Sequence, residues 1–140
     1  MSALTINDVG PRDGLQNQPR ILEPADRVRL VRSLLAAGVT HVEAGAFVSP
    51  KAVPAMAGAA EVLAGLTDAG DAVLSVLVPN VKGYELATAA GARCVCMVLY
   101  GSEGMAQANV RMNREQAEEA TAEILARAKQ DGVRVTATVA

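Results

Sequence analysis

Residues 8–17, Asp-Val-Gly-Pro-Arg-Asp-Gly-Leu-Gln-Asn, place a guanidinium beside a carboxylate directly after a short strand-like run that ends at Ile6. Adjacent strand residues point to opposite faces of a sheet, so Arg12 and Asp13 cannot both be buried in one core. In a loop at the end of a strand, both side chains can reach one ligand. The Asp13 carboxylate suits a hard divalent cation, and the Arg12 guanidinium suits an anion or a developing oxyanion. The alternative is a charged surface turn.

Further polar residues follow predicted strands. Glu43 ends the second strand, and Asn80 follows the third. Ser102 and Glu103 follow the fourth strand. In a barrel the carboxyl ends of the strands meet on one face, so these residues are expected to converge with the Arg-Asp pair. Each also has a structural interpretation: a solvated strand end for Glu43, a helix cap for Asn80, and an ordinary loop for Ser102 and Glu103. A structural role is expected for the single histidine, His41.

The composition is typical of one globular domain. The 140 residues are 51% hydrophobic and 20% charged, with a net charge of −2. This balance offers no positive surface to nucleic acid. No apolar run approaches the ~18 residues of a membrane span, and the first residues lack the basic and apolar regions of a signal peptide. We therefore expect a cytoplasmic protein that binds neither nucleic acid nor a membrane.

Strand and helix signals alternate along the chain, and helix–strand junctions recur at Gly38, Gly91 and Gly132. Strands are predicted at 4–9, 39–43, 71–78, 93–100 and 133–139, and helices at 24–38, from 54 through 66, at 80–91 and at 113–130, with a polar loop at 101–112. Repeated βα units predict an α/β protein with a parallel sheet, either an open doubly wound sheet or part of a closed eight-stranded barrel. Two cysteines, Cys94 and Cys96, lie on one face of the fourth strand and are expected to be buried thiols.

Four blocks in this order resemble the 3-hydroxy-3-methylglutaryl-CoA lyase family. Residues 10–17 match its Gly-Pro-Arg-Asp-Gly-Leu-Gln-Asn signature at every position. The other blocks are Glu43 with 47–54, residues 79–85, and Ser102-Glu103 with Asn109. The resemblance implies a (βα)8 TIM barrel of ~250 residues. Residues 1–140 would then be the N-terminal portion of a single catalytic domain, with about the first five strands and four helices.

The resemblance also implies an activity. The family cleaves 3-hydroxy-3-methylglutaryl-CoA to acetyl-CoA and acetoacetate in a metal-dependent retro-aldol reaction. Carried over, Asp13 would be a ligand of Mg²⁺ or Mn²⁺, which lowers the pKa of the substrate hydroxyl. Arg12 would bind substrate and stabilise the enolate oxygen, and Glu43 would be a second catalytic residue that orients the site. The implied substrate-binding residues are Arg12, Gln16, Asn80 and Ser102.

Two departures from the family keep alternatives open. After Glu43 the family has a hydroxyl-rich run, where this chain has Ala44-Gly45-Ala46. The family also completes its metal site with a His-x-His pair, which a chain with one histidine cannot supply. The alternatives are a related barrel enzyme with another aldol or Claisen-type reaction on a different acyl-CoA, and a truncated non-catalytic assembly module. We expect the 140-residue chain alone to be inactive, and the protein to be a homo-oligomer.

Overall fold

The computed structural model describes residues 4–140, and it contains one parallel sheet whose strands lie in chain order, β1-β2-β3-β4-β5. The strands are β1 (Asn7–Asp8), β2 (His41–Ala46), β3 (Val73–Leu77), β4 (Cys94–Leu99) and β5 (Arg134–Val139). The helices are α1 (Pro24–Ala36), α2 (Ala59–Ala64), α3 (Val81–Ala89), α4 (Glu103–Val110) and α5 (Arg114–Asp131), with a π-helical turn at Gly10–Gly14 and a 3-10 turn at Pro54–Met56.

Helices cover one face of this sheet, which we call the helix face. Val42 and Ala44 of β2 pack in a core cluster with residues of α1 and α2. Val76 and Val95, farther along the sheet, pack in a second cluster with residues of α3 and α5. A doubly wound sheet would carry helices on both faces. Sequential parallel strands with their helices on one face form part of a barrel wall, as the resemblance implied.

Three helices begin at the residues that the sequence indicated. Pro24 is the first residue of α1, where its missing N–H costs nothing. The Asn80 side chain accepts a hydrogen bond from the Gly83 backbone and so caps α3. The predicted capping box of α5 is present: the Asn113 and Gln116 side chains each accept a backbone N–H from the other residue. Local signals therefore defined these helix ends correctly.

The predicted loop at 101–112 is wrong, because it contains α4. Ser102 caps this helix by accepting a hydrogen bond from the Met105 backbone at 3.3 Å. Ala106 is buried with 2% exposure. A helix with a single buried small residue leaves little hydrophobic periodicity in the sequence, which is why the pattern indicated a loop. The described residues thus contain five α-helices rather than four.

The helix predicted from Pro54 is also divided. The chain makes a 3-10 turn, passes through Gly58 in the left-handed region at φ 72°, and only then enters α2. The break rotates the second part, so that Val62 is buried at 1% exposure while Ala60 is exposed. A single helical period could not reveal this change of phase.

Strand lengths differ from prediction at both ends of β1 and β2. Only Asn7 and Asp8 pair with β2, and Leu4 and Ile6 are 89% and 67% exposed. The pairing starts at Asn7 because its partner is His41, the first residue of β2. In contrast, β2 continues past Glu43 to Ala46.

None of the helices within residues 4–140 has the length and hydropathy needed to cross a membrane.

Candidate active site

The chain after β1 forms one wide turn. The backbone N–H groups of Arg12, Asp13 and Gly14 all point to the Val9 carbonyl oxygen, at 3.1, 2.8 and 3.4 Å. Pro11 is buried and anchors the turn against the fold. The Arg12 side chain is 16% exposed, whereas the Asp13 side chain is 60% exposed. The turn therefore directs the guanidinium inward and leaves the neighbouring carboxylate open to a ligand.

Arg12 is the centre of a polar cluster. Its Nε donates to Oε1 of Glu43, whose side chain is 5% exposed. Its Nη1 donates to Oδ1 of Asp13 at 3.0 Å and reaches Oε1 of Gln16 at 3.5 Å. Charge-assisted bonds of this kind are stronger than neutral ones and fix the plane of the guanidinium. Four of the six residues predicted for the site, Arg12, Asp13, Gln16 and Glu43, thus lie together.

A β-bulge in β2 lies directly after Glu43. Glu43 is the register partner of Ser75, and Gly45 is the partner of Val76, so Ala44 is one extra residue on β2. Such a bulge bends its strand and re-aims the side chains around it, and bulges are frequent next to active sites. Here Glu43 lies on the face opposite the helices, which we call the inner face.

A cavity of about 160 Å³ adjoins the cluster. Its polar lining comes from Arg12, Gln16, Tyr100 and Asn109. The rest of the wall is apolar, from Val48, Val53, Leu77, Val78, Pro79, Val98 and Val110. A mostly apolar cleft with a few convergent polar groups is typical of a small-molecule site.

A larger hollow of about 750 Å³ lies between α3 and α5. Its lining includes Gly91 and Arg93, which precede β4, and Val133, which precedes β5. It therefore lies at the amino ends of the strands. Because barrel enzymes place their chemistry at the carboxyl ends, the smaller cavity beside Arg12 is the candidate active site.

Asn80 and Ser102 are not part of the Arg12 cluster. Asn80 accepts the Gly83 N–H at 2.8 Å, and Ser102 accepts the Met105 N–H. Both therefore act as helix caps, the structural interpretation that the sequence left open for Asn80. Neither lines the 160 Å³ cavity. Their assignment as substrate-binding residues stays a prediction.

The metal prediction concerns Asp13. Its exposed carboxylate offers an oxygen ligand of the kind that Mg²⁺ and Mn²⁺ prefer. Within residues 4–140, however, no group of three or more His, Cys, Asp or Glu side chains is close enough to hold a metal ion. The residues present fit one ligand of a divalent cation, and the described part of the chain does not supply a complete set.

The inner face behind Glu43 carries the two cysteines as free, buried thiols, as predicted. Burial raises the pKa of Cys96 to about 11, opposed by a hydrogen bond with Ser75 and reinforced by the nearby Glu43 carboxylate. Burial also raises the pKa of Cys94. Both thiols are therefore protonated at neutral pH and are weak nucleophiles.

The Ala44-Gly45-Ala46 departure is largely turned away from the cavity. Ala44 is fully buried in the helix-face cluster. A side chain at Gly45 would point to the guanidinium of Arg27 and to Ala59 of α2. Ala46 packs instead with residues that include Leu77, which lines the cavity. Only one of the three positions therefore adjoins the candidate site.

Sequence reasoning missed Tyr100 as a cavity residue. Its position gives a signal in retrospect, because Val98 and Tyr100 are two residues apart at the end of β4 and so share a face. The apolar wall gave no such signal, since Val48, Val53 and Val110 come from separate loops and helices that converge only in the fold.

Comparison with known proteins finds one family model and several lyases that act on acyl-CoA thioesters. The family model HMGL-like matches residues 3–139. The chain is 49% identical over 121 residues to (R)-citramalyl-CoA lyase of Chloroflexus aurantiacus, a match that covers 79% of this chain and 38% of that protein. It is 44% identical over 128 residues to 3-hydroxy-3-isohexenylglutaryl-CoA/hydroxy-methylglutaryl-CoA lyase of Pseudomonas aeruginosa, over 91% of this chain and 43% of the relative.

A solved structure also superposes closely on this chain. An HMG-CoA lyase from Acinetobacter baumannii, in complex with coenzyme A and 3-methylmalate, superposes with a TM-score of 0.91 at 35% identity. The match covers 99% of this chain and 47% of that one. The chain thus spans less than half the length of the relatives it matches.

Proposed function

Because the chain belongs to the HMGL-like family, we propose that the protein is a carbon–carbon lyase that cleaves a 3-hydroxy acyl-CoA. The proposed substrate is 3-hydroxy-3-methylglutaryl-CoA, and the products are acetyl-CoA and acetoacetate. The observation that carries the proposal is the Arg12 cluster beside the cavity, where a fixed guanidinium and an open carboxylate lie at the carboxyl ends of the strands.

The reaction is a retro-aldol cleavage. The C3 hydroxyl loses its proton, the C2–C3 bond breaks, and C3 becomes the carbonyl carbon of the keto acid. The electron pair of the broken bond moves to the thioester and forms an enolate, which takes up a proton at C2 to give acetyl-CoA. The barrier falls if a positive group meets the enolate oxygen as its charge develops.

Arg12 has the position and chemistry for that role. Its guanidinium lines the cavity and is held in plane by Glu43 through Nε. This leaves the terminal nitrogens as donors to a thioester oxygen, and one of them, Nη1, now faces Asp13 and Gln16. Glu43, buried behind Arg12, acts in this proposal as the group that orients it, and Gln16 is a substrate contact at the cavity wall.

Asp13 is the proposed contribution of this chain to the metal site. Enzymes of this family depend on a divalent metal, which when bound supplies a Lewis acid for the substrate hydroxyl. We propose Mg²⁺ or Mn²⁺, since Asp13 offers a hard oxygen ligand. The Asp13 side chain of its ion pair with Arg12 is 60% exposed, so water and ions weaken this pair, and Asp13 can bind a cation in place of Arg12 at little cost.

A second acyl-CoA substrate is favoured by two observations. The relative with 49% identity is named as a lyase of (R)-citramalyl-CoA. In addition, Ala46 belongs to the buried cluster against which Leu77 of the cavity wall packs, and it has a methyl group where the resembled family has a hydroxyl. A less polar residue behind this wall suits a different acyl group, so citramalyl-CoA is the alternative substrate. A cytoplasmic homo-oligomer remains our proposal for location and assembly.

The experiment is a cleavage assay of the full-length protein with both thioesters. We expect acetyl-CoA formation that is lost on chelation and restored by Mg²⁺ or Mn²⁺. The ratio of kcat/KM values for 3-hydroxy-3-methylglutaryl-CoA and citramalyl-CoA identifies the substrate. Metal-independent turnover, or no turnover of either thioester by metal-loaded protein, would contradict the proposal.

A further inference from the structure

Arg27 of α1 is buried without a carboxylate partner. Its residue exposure is 0%, and among residues 4–140 no salt bridge involves it. Its Nη1 donates to the Ala57 carbonyl at 2.7 Å, its Nη2 lies 3.9 Å from Sδ of Met56, and its Nε has no hydrogen-bond partner in this part of the chain. Burial lowers the pKa of this guanidinium.

Such an arrangement is costly for stability alone. A buried charge without a counter-ion loses hydration that two weak or neutral acceptors do not replace. Even a buried ion pair can often be replaced by apolar residues of similar volume with no loss, or with a gain, of stability. The buried guanidinium of Arg27 is therefore best explained by a function that a well-packed apolar side chain could not perform.

The contact between Arg27 and Gly45 of β2 indicates what that function is. A Cβ atom at this position would lie 2.8 Å from Nη2 of Arg27, closer than real Cβ contacts allow. The guanidinium thus sits directly against the β2 backbone, in space that exists only because residue 45 has no side chain. Gly45 is also the residue at which the register of β2 resumes after the bulge.

The same guanidinium contacts the segment that leads into α2. Ala57 lies between the 3-10 turn and α2, and Met56 belongs to a cluster that includes Leu15, the neighbour of Gln16 in sequence. One side chain therefore links α1, the 54–58 segment and the bulged part of β2. On the opposite face of that bulge, Glu43 binds Arg12.

We infer that Arg27 is a positioning residue for the reaction: seated against Gly45, its guanidinium holds the β2 bulge in the one form that directs Glu43 to Arg12. Arg27 touches neither the cavity nor the Arg12 cluster, so it acts only through the backbone. This inference rests on the proposed function, in which Arg12 and Glu43 serve the reacting centre.

The first test separates activity from stability. In the full-length protein, Arg27→Met keeps the length and packing of the side chain but removes the donor to Ala57. We expect Tm to stay the same or rise, because a buried charge is removed, while kcat falls on the order of 10- to 100-fold with little change in KM, since small displacements of catalytic groups have effects of that size. A purely structural Arg27 would lower kcat only together with Tm.

The second test uses the glycine. Gly45→Ala should lower kcat by a similar factor, because its methyl group displaces Nη2. Adding Arg27→Lys to Gly45→Ala should recover most of that loss, since lysine lacks Nη2 but can still donate to the Ala57 carbonyl. Gly65→Ala is the matched control: its Cβ would lie 2.7 Å from Cγ2 of Val28, in the same α1–α2 layer. It should lower Tm and leave kcat intact.

The outcomes are distinct. Unchanged kcat in Arg27→Met and Gly45→Ala, no recovery in the double variant, or an equal loss in Gly65→Ala would each overturn the inference. Glu43→Gln is the reference variant. If it is slow while Arg27→Met is fully active, only this inference fails; if Glu43→Gln is fully active, the proposed site fails.

A structural readout does not depend on turnover. In a crystal structure of Gly45→Ala we expect the contact between Glu43 and Arg12 to be broken or the register of β2 on β3 to shift. An unchanged contact in that variant would overturn the inference whatever the substrate is.

Discussion

Arg12 and Arg27 lie on opposite faces of β2, and their surroundings differ in charge and exposure. Arg12 follows β1 in a turn, keeps 16% of its side chain exposed, and has two carboxylates, Glu43 and Asp13, as partners. Arg27 lies in the first turn of α1, is fully buried, and has a carbonyl oxygen and a sulfur as neighbours.

The comparison shows that the two faces of one strand can place the same residue type in two different functions. On the inner face, the guanidinium of Arg12 is held by carboxylates and lines a cavity, so its remaining N–H groups can reach a ligand. On the helix face, charge is enclosed and can act only on the protein itself. Changes near Arg12 should therefore alter chemistry with little loss of stability, and changes in the helix layer away from Arg27 should do the reverse.

The largest expected effect is the loss of all activity when the 140-residue chain is isolated. Asp13 is its only predicted metal ligand, and β5 is mostly exposed along its length. Unpaired strand edges and exposed apolar residues promote association. We expect no thioester cleavage and a mass above that of a monomer in light scattering. An active, strictly monomeric chain would show that the site or the barrel architecture is wrong.

Asp13→Ala in the full-length protein should abolish metal-dependent cleavage. The exposed carboxylate is the one oxygen ligand this chain is predicted to give the cation. Titration with Mn²⁺ measures the affinity directly, and Tm should hardly change. Asp68→Ala, which removes another exposed carboxylate paired with an arginine, is the control. Equal Mn²⁺ affinity and turnover in both variants would remove Asp13 from the metal site.

Arg12→Lys should lower kcat on the order of 10²–10³-fold, as the loss of an oxyanion donor does in other enzymes. Lysine keeps the charge but cannot donate to Glu43 and the substrate with one planar fork. The exposed Arg29 on α1 offers Arg29→Lys as a matched control. A rise in KM with unchanged kcat would mean that Arg12 binds substrate without acting on the transition state.

Two asparagines that cap helices, Asn80 and Asn113, test whether Asn80 belongs to the candidate active site. Asn80→Ala and Asn113→Ala each remove an N-cap oxygen and should each cost about 1 kcal/mol of unfolding free energy. If Asn80 also binds substrate, as predicted, its variant alone raises KM. Denaturant unfolding and steady-state kinetics measure the two effects. An unchanged KM would leave Asn80 with its structural role only.

The smallest effect concerns pH. The buried Tyr84 hydroxyl donates to Oδ2 of Asp131 at 2.7 Å, and burial with this bond raises the pKa of Tyr84 to about 12. As pH rises above the ordinary value near 10, the unfolded chain loses this proton first, so the contribution to stability is present below pH 10 and is lost toward pH 12. Tyr84→Phe should flatten that decline in unfolding free energy without changing kcat. An equally steep decline in the variant would assign it to other groups.

The sequence by itself determined features that depend on neighbouring residues. The start of α1 at Pro24 and the caps at Asn80 and Asn113 were predictable, because each rests on backbone geometry or hydrogen bonds within four residues. The alternation of strands and helices was predictable for the same reason. The signature at 10–17 likewise identified Arg12 and Asp13 as candidates without any coordinates.

Only the tertiary structure decided features that depend on distant residues. The β2 bulge shows itself in pairing with β3, and the division at Gly58 sets which side of α2 faces α1. The burial of Arg27 against Gly45 joins residues 18 positions apart in sequence, each unremarkable alone. Such contacts form when strands and helices pack, and the free energy that selects them comes from burial and complementary shape, which no local pattern records.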